Sequence, residues 1–171
     1  MAKVKGIKKL NKVIKKQLAP FGIEKVFMDT EFAYYYNDKI SYAPVMINDF
    51  QGQAFLAFIE KRFGYTTKMP FMLFLLHEVG HHIANENIVD DIAEFCEKEK
   101  DRIQAEMDLT DDEEEIMRLD DEYFNLPDEI MATQWAVNYM RKHPRITKRM
   151  WYEIAEELEQ FYEANGVETA K

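Results

Sequence analysis

The 171-residue chain has one cysteine, Cys96, which excludes an internal disulfide and any zinc cage built from several cysteines, and which fits a reducing, cytoplasmic setting. Histidine is scarce too, at four residues. Long apolar runs are missing. The longest, residues 69–76 with Pro70 inside it, is far short of the ~20 residues a membrane-spanning helix needs. The start of the chain lacks the apolar stretch and small-residue cleavage site of a secretory signal, and lacks the arginines and serines of a transit peptide. Acidic residues are absent from positions 1–23, which carry seven lysines, whereas residues 85–129 hold 19 Asp or Glu against Lys98, Lys100, Arg102 and Arg118. The formal net charge is −10, and so long an acidic surface repels phosphate backbones, so duplex nucleic acid is not expected as a direct partner. With 47% hydrophobic residues the chain is not disordered. At this length about 70% of the unfolded surface can be buried, enough for one soluble domain, residues 1–171, with an interior site.

Hydrophobic periodicity organises the chain. Val4, Ile7, Leu10, Ile14 and Leu18 recur at spacings of three and four, which reads as a basic amphipathic helix within residues 1–20 with its lysines on the opposite, solvated face. After Pro20-Phe21-Gly22 come three runs of β type, 23–28, 31–36 and 40–47, with turn chemistry at Asn37-Asp38-Lys39, so a small antiparallel sheet is expected. Pro44 points to an edge strand, and the aromatics Phe32, Tyr34, Tyr35, Tyr36 and Tyr42 read as sheet packing. Helices are expected over 54–63, 70–87, 88–107, 111–122, 127–142 and 148–165. Thr110 and Thr147 are candidate N-caps, Pro127 a first helical residue and Gly166 a terminator. The fold class is α+β and mostly helical, the sheet packed beside a buried helix that starts at Pro70.

That helix carries His77-Glu78-Val79-Gly80-His81-His82, an HExxH pattern. A spacing of four brings His77 and His81 to nearly one face, one turn apart, so that their imidazoles can converge on one Zn²⁺. Glu78 flanks that point and can take a proton from a zinc-activated water. Composition alone would produce roughly 0.01 such matches in a chain of this length. His82 points about 100° away from His81 and reads as a supporting or surface residue. A catalytic zinc usually has three protein ligands. His143 stands beside Pro144 at a helix end, and Cys96 lacks the glycine-rich surroundings of a cysteine-ligated hydrolase. Carboxylates are the richer source: Glu129 is singled out in the first turn of the Pro127 helix, ahead of the small and apolar face of Ala132, Trp135, Ala136 and Met140. Glu86, Asp90, Asp91, Glu94, Glu122 and Asp128 remain competitors.

These residues resemble the ImmA/IrrE family of zinc metallopeptidases, gluzincin-like proteins of bacteria, phages and mobile elements. There a buried helix bears HExxH and a later helix opens on a Glu within a pattern like ExEADxFAxxLLMP. Residues 126–140, Leu-Pro-Asp-Glu-Ile-Met-Ala-Thr-Gln-Trp-Ala-Val-Asn-Tyr-Met, are similar in outline, although the EAD of the pattern is here Glu129-Ile130-Met131. The resemblance implies a zincin-like fold, His77, His81 and Glu129 as zinc ligands, and Glu78 as the catalytic carboxylate. Forty-seven residues separate His81 from Glu129, so the acidic helical stretch 88–122 looks like an insertion relative to the family. The expected function is hydrolysis of a peptide bond in a peptide or protein substrate, a DNA-binding regulator among the candidates. Tyr123, His82 and His143 are candidate oxyanion donors, and the edge strand at 34–36 a candidate substrate rail. The alternatives are a non-catalytic, anti-restriction-like binding module presenting the acidic stretch, and a zinc hydrolase of a non-peptide amide.

Overall fold

The computed structural model describes residues 6–28, 34–36, 39–43, 50–85 and 87–166. Helix α1 (Ile7–Leu18) leads through a 3₁₀ turn (Ala19–Phe21) to strands β1 (Lys25–Met28), β2 (Tyr34–Tyr36) and β3 (Lys39–Tyr42). Six further helices follow: α2 (Phe50–Phe63), α3 (Pro70–Asn85), α4 (Asp90–Met107), α5 (Glu113–Phe124), α6 (Pro127–Lys142) and α7 (Pro144–Asn165). The fold is mostly helical, as expected. No helix of the described residues is long and apolar enough to cross a membrane.

Burial follows the apolar stripes. Helix α1 buries Leu10, Ile14 and Leu18 against α7, and its basic side is partly matched there by Lys9–Glu157 at 2.8 Å and Lys16–Glu153 at 2.7 Å. The first three turns of α3, from Phe71 to Gly80, are buried all round. A helix apolar on every side must be enclosed by others, and α3 is covered by α6 on one side and by β2 and β3 on another. One core cluster joins α3 to Leu10 and Ile14 of α1, Ile40 of β3, Phe55 and Phe58 of α2, Val137 of α6 and Ile154 of α7.

The sheet differs from expectation. Its order is β1-β3-β2, with β2 antiparallel to β3 (Tyr34 opposite Ser41, Tyr36 opposite Lys39) but β1 parallel to β3 (Lys25 opposite Lys39, Met28 opposite Tyr42). The sheet is therefore mixed. Gly22, at φ +86°, reverses the chain after the 3₁₀ turn and lays β1 along α1, and the most buried strand, β3, takes the centre. Alternation along a strand records which face is covered and says nothing about strand order. The strand read at 40–47 is thus central, and Lys39 belongs to it; Pro44, Phe32 and Glu86 lie outside the described residues.

Two caps are also corrected. Helix α5 is capped by Asp112, whose carboxylate accepts from the backbone N–H groups of Glu114 and Glu115, while Thr110 Oγ1 accepts from Asp112 N one turn earlier. Helix α7 starts at Pro144, because proline at a first helical position costs no hydrogen bond. Thr147 is inside it, buried, its hydroxyl donating to the His143 carbonyl at 2.8 Å. The segment read as an acidic helical stretch forms α4 and α5, packed on each other around a small core of Ile103, Leu119 and Leu126.

Candidate metal centre

The site begins with a close approach of two helices. Gly80 is buried in α3, and a Cβ built there would lie 2.4 Å from the carbonyl oxygen of Ala132 in α6. No side chain fits that gap. The third residue inside the HExxH pattern thus lets α6 cross α3 at backbone contact, with the small residues Ala132 and Ala136 facing it. That crossing sets the first turn of α6 over the histidines.

His77, His81 and Glu129 meet there. His77 Nε2 lies 3.1 Å from His81 Nε2 and 3.0 Å from Glu129 Oε2, and His81 Nε2 lies 3.3 Å from Glu129 Oε1. All three are at least mostly buried, with side-chain exposures of 8%, 13% and 4%. Two nitrogens and an oxygen each about 2.05 Å from one tetrahedral ion would be separated by about 3.3 Å. The 3.1 Å between the two imidazole nitrogens and the 3.0 Å from His77 Nε2 to Glu129 Oε2 are near that spacing, and the donor set suits zinc chemistry. This buried His-His-Glu group could bind a metal ion.

Surrounding side chains hold these three residues in place. His77 Nδ1 is 3.1 Å from Thr133 Oγ1. With Nδ1–H donating to that hydroxyl, Nε2 is left as the acceptor facing Glu129 and His81. Phe55 packs on the His77 ring edge-on at 4.9 Å. Glu129 Oε1 accepts from Lys100 Nζ at 2.5 Å, and the same ammonium donates to Asp128 Oδ2 at 2.5 Å. Lys100 belongs to α4, so the acidic helical pair contributes directly to the site.

The electrostatics follow from burial among these charges. Burial would raise the Glu129 carboxyl, but the two imidazoles override it and hold the group well below the usual carboxylate range. For Glu78, 6% exposed, burial wins: it pushes the carboxyl up to about 7 against the pull of His77, with the Glu129 charge adding to the rise and Lys100 opposing it. Burial would lower Lys100, yet Glu129, Tyr123 and Asp128 together hold it above the ordinary lysine value. Tyr123 of α5 is raised by burial and by the Glu129 charge, so at neutral pH it is an uncharged phenol beside the carboxylates, with Lys100 5.3 Å above its ring.

The other candidates lie elsewhere or are engaged. His82 Nδ1 is 2.9 Å from the Tyr35 hydroxyl, and His143 sits at the α6–α7 junction with its ring 4.7 Å from Tyr139. Cys96 is buried on α4 near Asp128. Asp90, Asp91 and Glu94 are exposed, Glu122 pairs with Arg102 and Arg118, and Asp128 pairs with Lys100. Lys100 and Thr133 were missed by sequence reasoning. Thr133 had a signal, its spacing of four from Glu129 on one helix face; Lys100 had none, because nothing local ties it to a residue 29 positions away. Compared with protein-family models, with curated proteins and with solved structures, the chain matches none.

Proposed function

We propose that the protein is a zinc-dependent hydrolase of peptide bonds, working in the manner of the ImmA/IrrE family on a cytoplasmic peptide or protein. The observation that carries this reading is the position of Glu78. It is a buried carboxylate, one residue from His77 and on the helix that also supplies His81, beside a three-residue group that could hold a metal ion. A metal-binding group with only a structural task has no need of it.

Zinc in such a site supplies Lewis acidity, which polarises a carbonyl and makes a water acidic near neutral pH. His77, His81 and Glu129 would hold the ion, and Thr133 fixes the His77 ring. Glu78 takes a proton from the attacking water as the oxygen bonds to the carbonyl carbon, and returns it to the amine nitrogen as the C–N bond breaks. Its upward-shifted carboxyl suits both directions of that transfer near neutral pH. Tyr123, an uncharged phenol close to Glu78 and Glu129, is favoured as the donor to the developing oxyanion over His82, which is tied to Tyr35, and His143, which is tied to Tyr139. Among the described residues strand β2 is an outer strand of the sheet and lies against α3, which supports strand addition by an extended substrate.

Metal content of untagged protein tests the ligand set: about one zinc per chain is expected in the wild type, and much less in Glu129→Ala. Hydrolysis of an unfolded protein and of DNA-binding regulators tests the chemistry. Glu78→Gln should keep the metal and lose at least ~100-fold in rate. Hydrolysis retained in Glu78→Gln would sink the mechanism. Cleavage of small amides but of no peptide would move the substrate class, and a wild type that takes up no zinc would favour a binding module using the acidic α4–α5 pair.

A further inference from the structure

Nineteen acids and four bases occupy residues 85–129, and three of those bases are spent within α4 and α5. Lys98 pairs with Glu94 one turn away, Arg102 bonds Glu99, Glu106 and Glu122, and Arg118 bonds Glu115 and Glu122. Lys100 does something else. It leaves its own acidic surroundings and crosses to the first turn of α6, where its ammonium bonds two consecutive carboxylates, Asp128 and Glu129, each at 2.5 Å.

Each oxygen of Glu129 faces one imidazole: Oε2 lies 3.0 Å from His77 Nε2, and Oε1 lies 3.3 Å from His81 Nε2 while also accepting from Lys100. An ammonium tethered to one oxygen fixes the rotation of the carboxylate, so that the group keeps its approach to the two imidazoles.

We infer that Lys100 is a positioning residue for the metal site: by its bond to Oε1 it holds the Glu129 carboxylate against the two imidazoles, and it makes the α4–α5 pair a working part of the site. The inference rests on the metal-binding reading above and adds to it a residue from outside both ligand helices. Asp128 is its anchor, orienting the ammonium without touching the histidines.

The test uses the full, metal-free chain titrated with Co²⁺, read by visible absorption, and with Zn²⁺ in competition with a chromophoric chelator. Lys100→Met should lose roughly ten- to a hundredfold in affinity and alter the cobalt spectrum, as removal of a group that orients a ligand does. Lys100→Arg, whose guanidinium can span both carboxylates, should recover part of the affinity, and Lys98→Met, an exposed lysine on the same helix, should match the wild type. Asp128→Asn should show a smaller loss in the same direction and serves as the second variant if Lys100→Met does not fold. Affinity in Lys100→Met equal to or above that of the wild type overturns the inference while leaving the metal site intact. A wild type that binds neither ion overturns both together.

Discussion

The α3–α6 pair and the α4–α5 pair are both helices in contact, yet they are held by different forces. Helix α3 is buried from Phe71 to Gly80, and α6 meets it with Ala132, Thr133, Ala136 and Val137, at a crossing so close that one position admits only glycine. Helices α4 and α5 bury Cys96, Ile103, Leu119 and Asp120, and much of their remaining contact is ionic, centred on Arg102 and Arg118. Close packing is steep in distance, so it fixes positions to a fraction of an ångström, which a three-ligand site requires. Exposed ion pairs are worth little each and tolerate displacement. The three residues that could hold a metal ion therefore come from the packed pair. The charged pair delivers a long, adaptable side chain, Lys100, whose reach absorbs the looser placement of its helix.

Gly80→Ala breaks the packed pair and carries the largest expected effect. Helix propensity alone would make alanine better by about 1 kcal/mol. The new methyl, however, meets the Ala132 carbonyl at 2.4 Å, and backbone cannot step aside as a flexible side chain can. Overpacking of this kind costs about 3 kcal/mol, so the variant should melt well below the wild type, and its helices should separate enough to abolish metal uptake. A variant as stable as the wild type would show that α3 and α6 do not cross at backbone contact.

Ile103→Ala strikes the small core of the charged pair, where Ile103 is fully buried with Leu119 and Leu126. The loss should be about 2 kcal/mol, at the low end for such a truncation because the cluster is small and near solvent. Amide exchange should locate it: protection falls in α4 and α5 and is retained in α3 and α6. A uniform fall across all four helices would mean that the two pairs unfold as one unit.

Much of this contrast was legible in the residues. The pattern His77-Glu78-x-x-His81 needs only helical periodicity to be read, and Glu129 follows from its place in a first turn after Pro127. The unbroken apolar run before His77 announced the buried helix, and the acidic composition announced the solvated pair. What could not be read depends on contacts distant in sequence. Strand order turns on where Gly22 sends β1, and a period of two is silent on that. Lys100 looks, in sequence, like any base diluting an acidic helix. The Thr110 and Thr147 caps failed because Asp112 and Pro144 offered competing helix starts within three residues, and local chemistry alone does not rank them.

Thr133→Val sharpens the packed side of the comparison. The substitution keeps the shape and removes the hydroxyl that accepts from His77 Nδ1 in a fully buried position. An unpartnered imidazole N–H costs about 1 kcal/mol or somewhat more, and the freed ring should weaken metal binding by roughly tenfold. The metal-free protein should thus lose little in a thermal melt, and the zinc competition assay should show the larger change. Unchanged affinity would mean that packing against Phe55 already orients the ring.

Salt has the smallest expected effect, and its sign is informative. Counting ion pairs suggests that sodium chloride should loosen α4 and α5. Yet their contacts at Arg118 are 2.8 to 3.0 Å, short beside any screening length, while the repulsion among the surplus acids acts over longer distances. The screening length falls from about 30 Å at 0.01 M to about 3 Å at 1 M. Added salt should therefore suppress the repulsion more than the contacts, and amide protection in α4 and α5 should rise modestly between 0.01 and 0.5 M. Protection in α3 and α6, set by packing, should stay level. A fall in α4 and α5 would mean that the ion pairs outweigh the net negative charge around them.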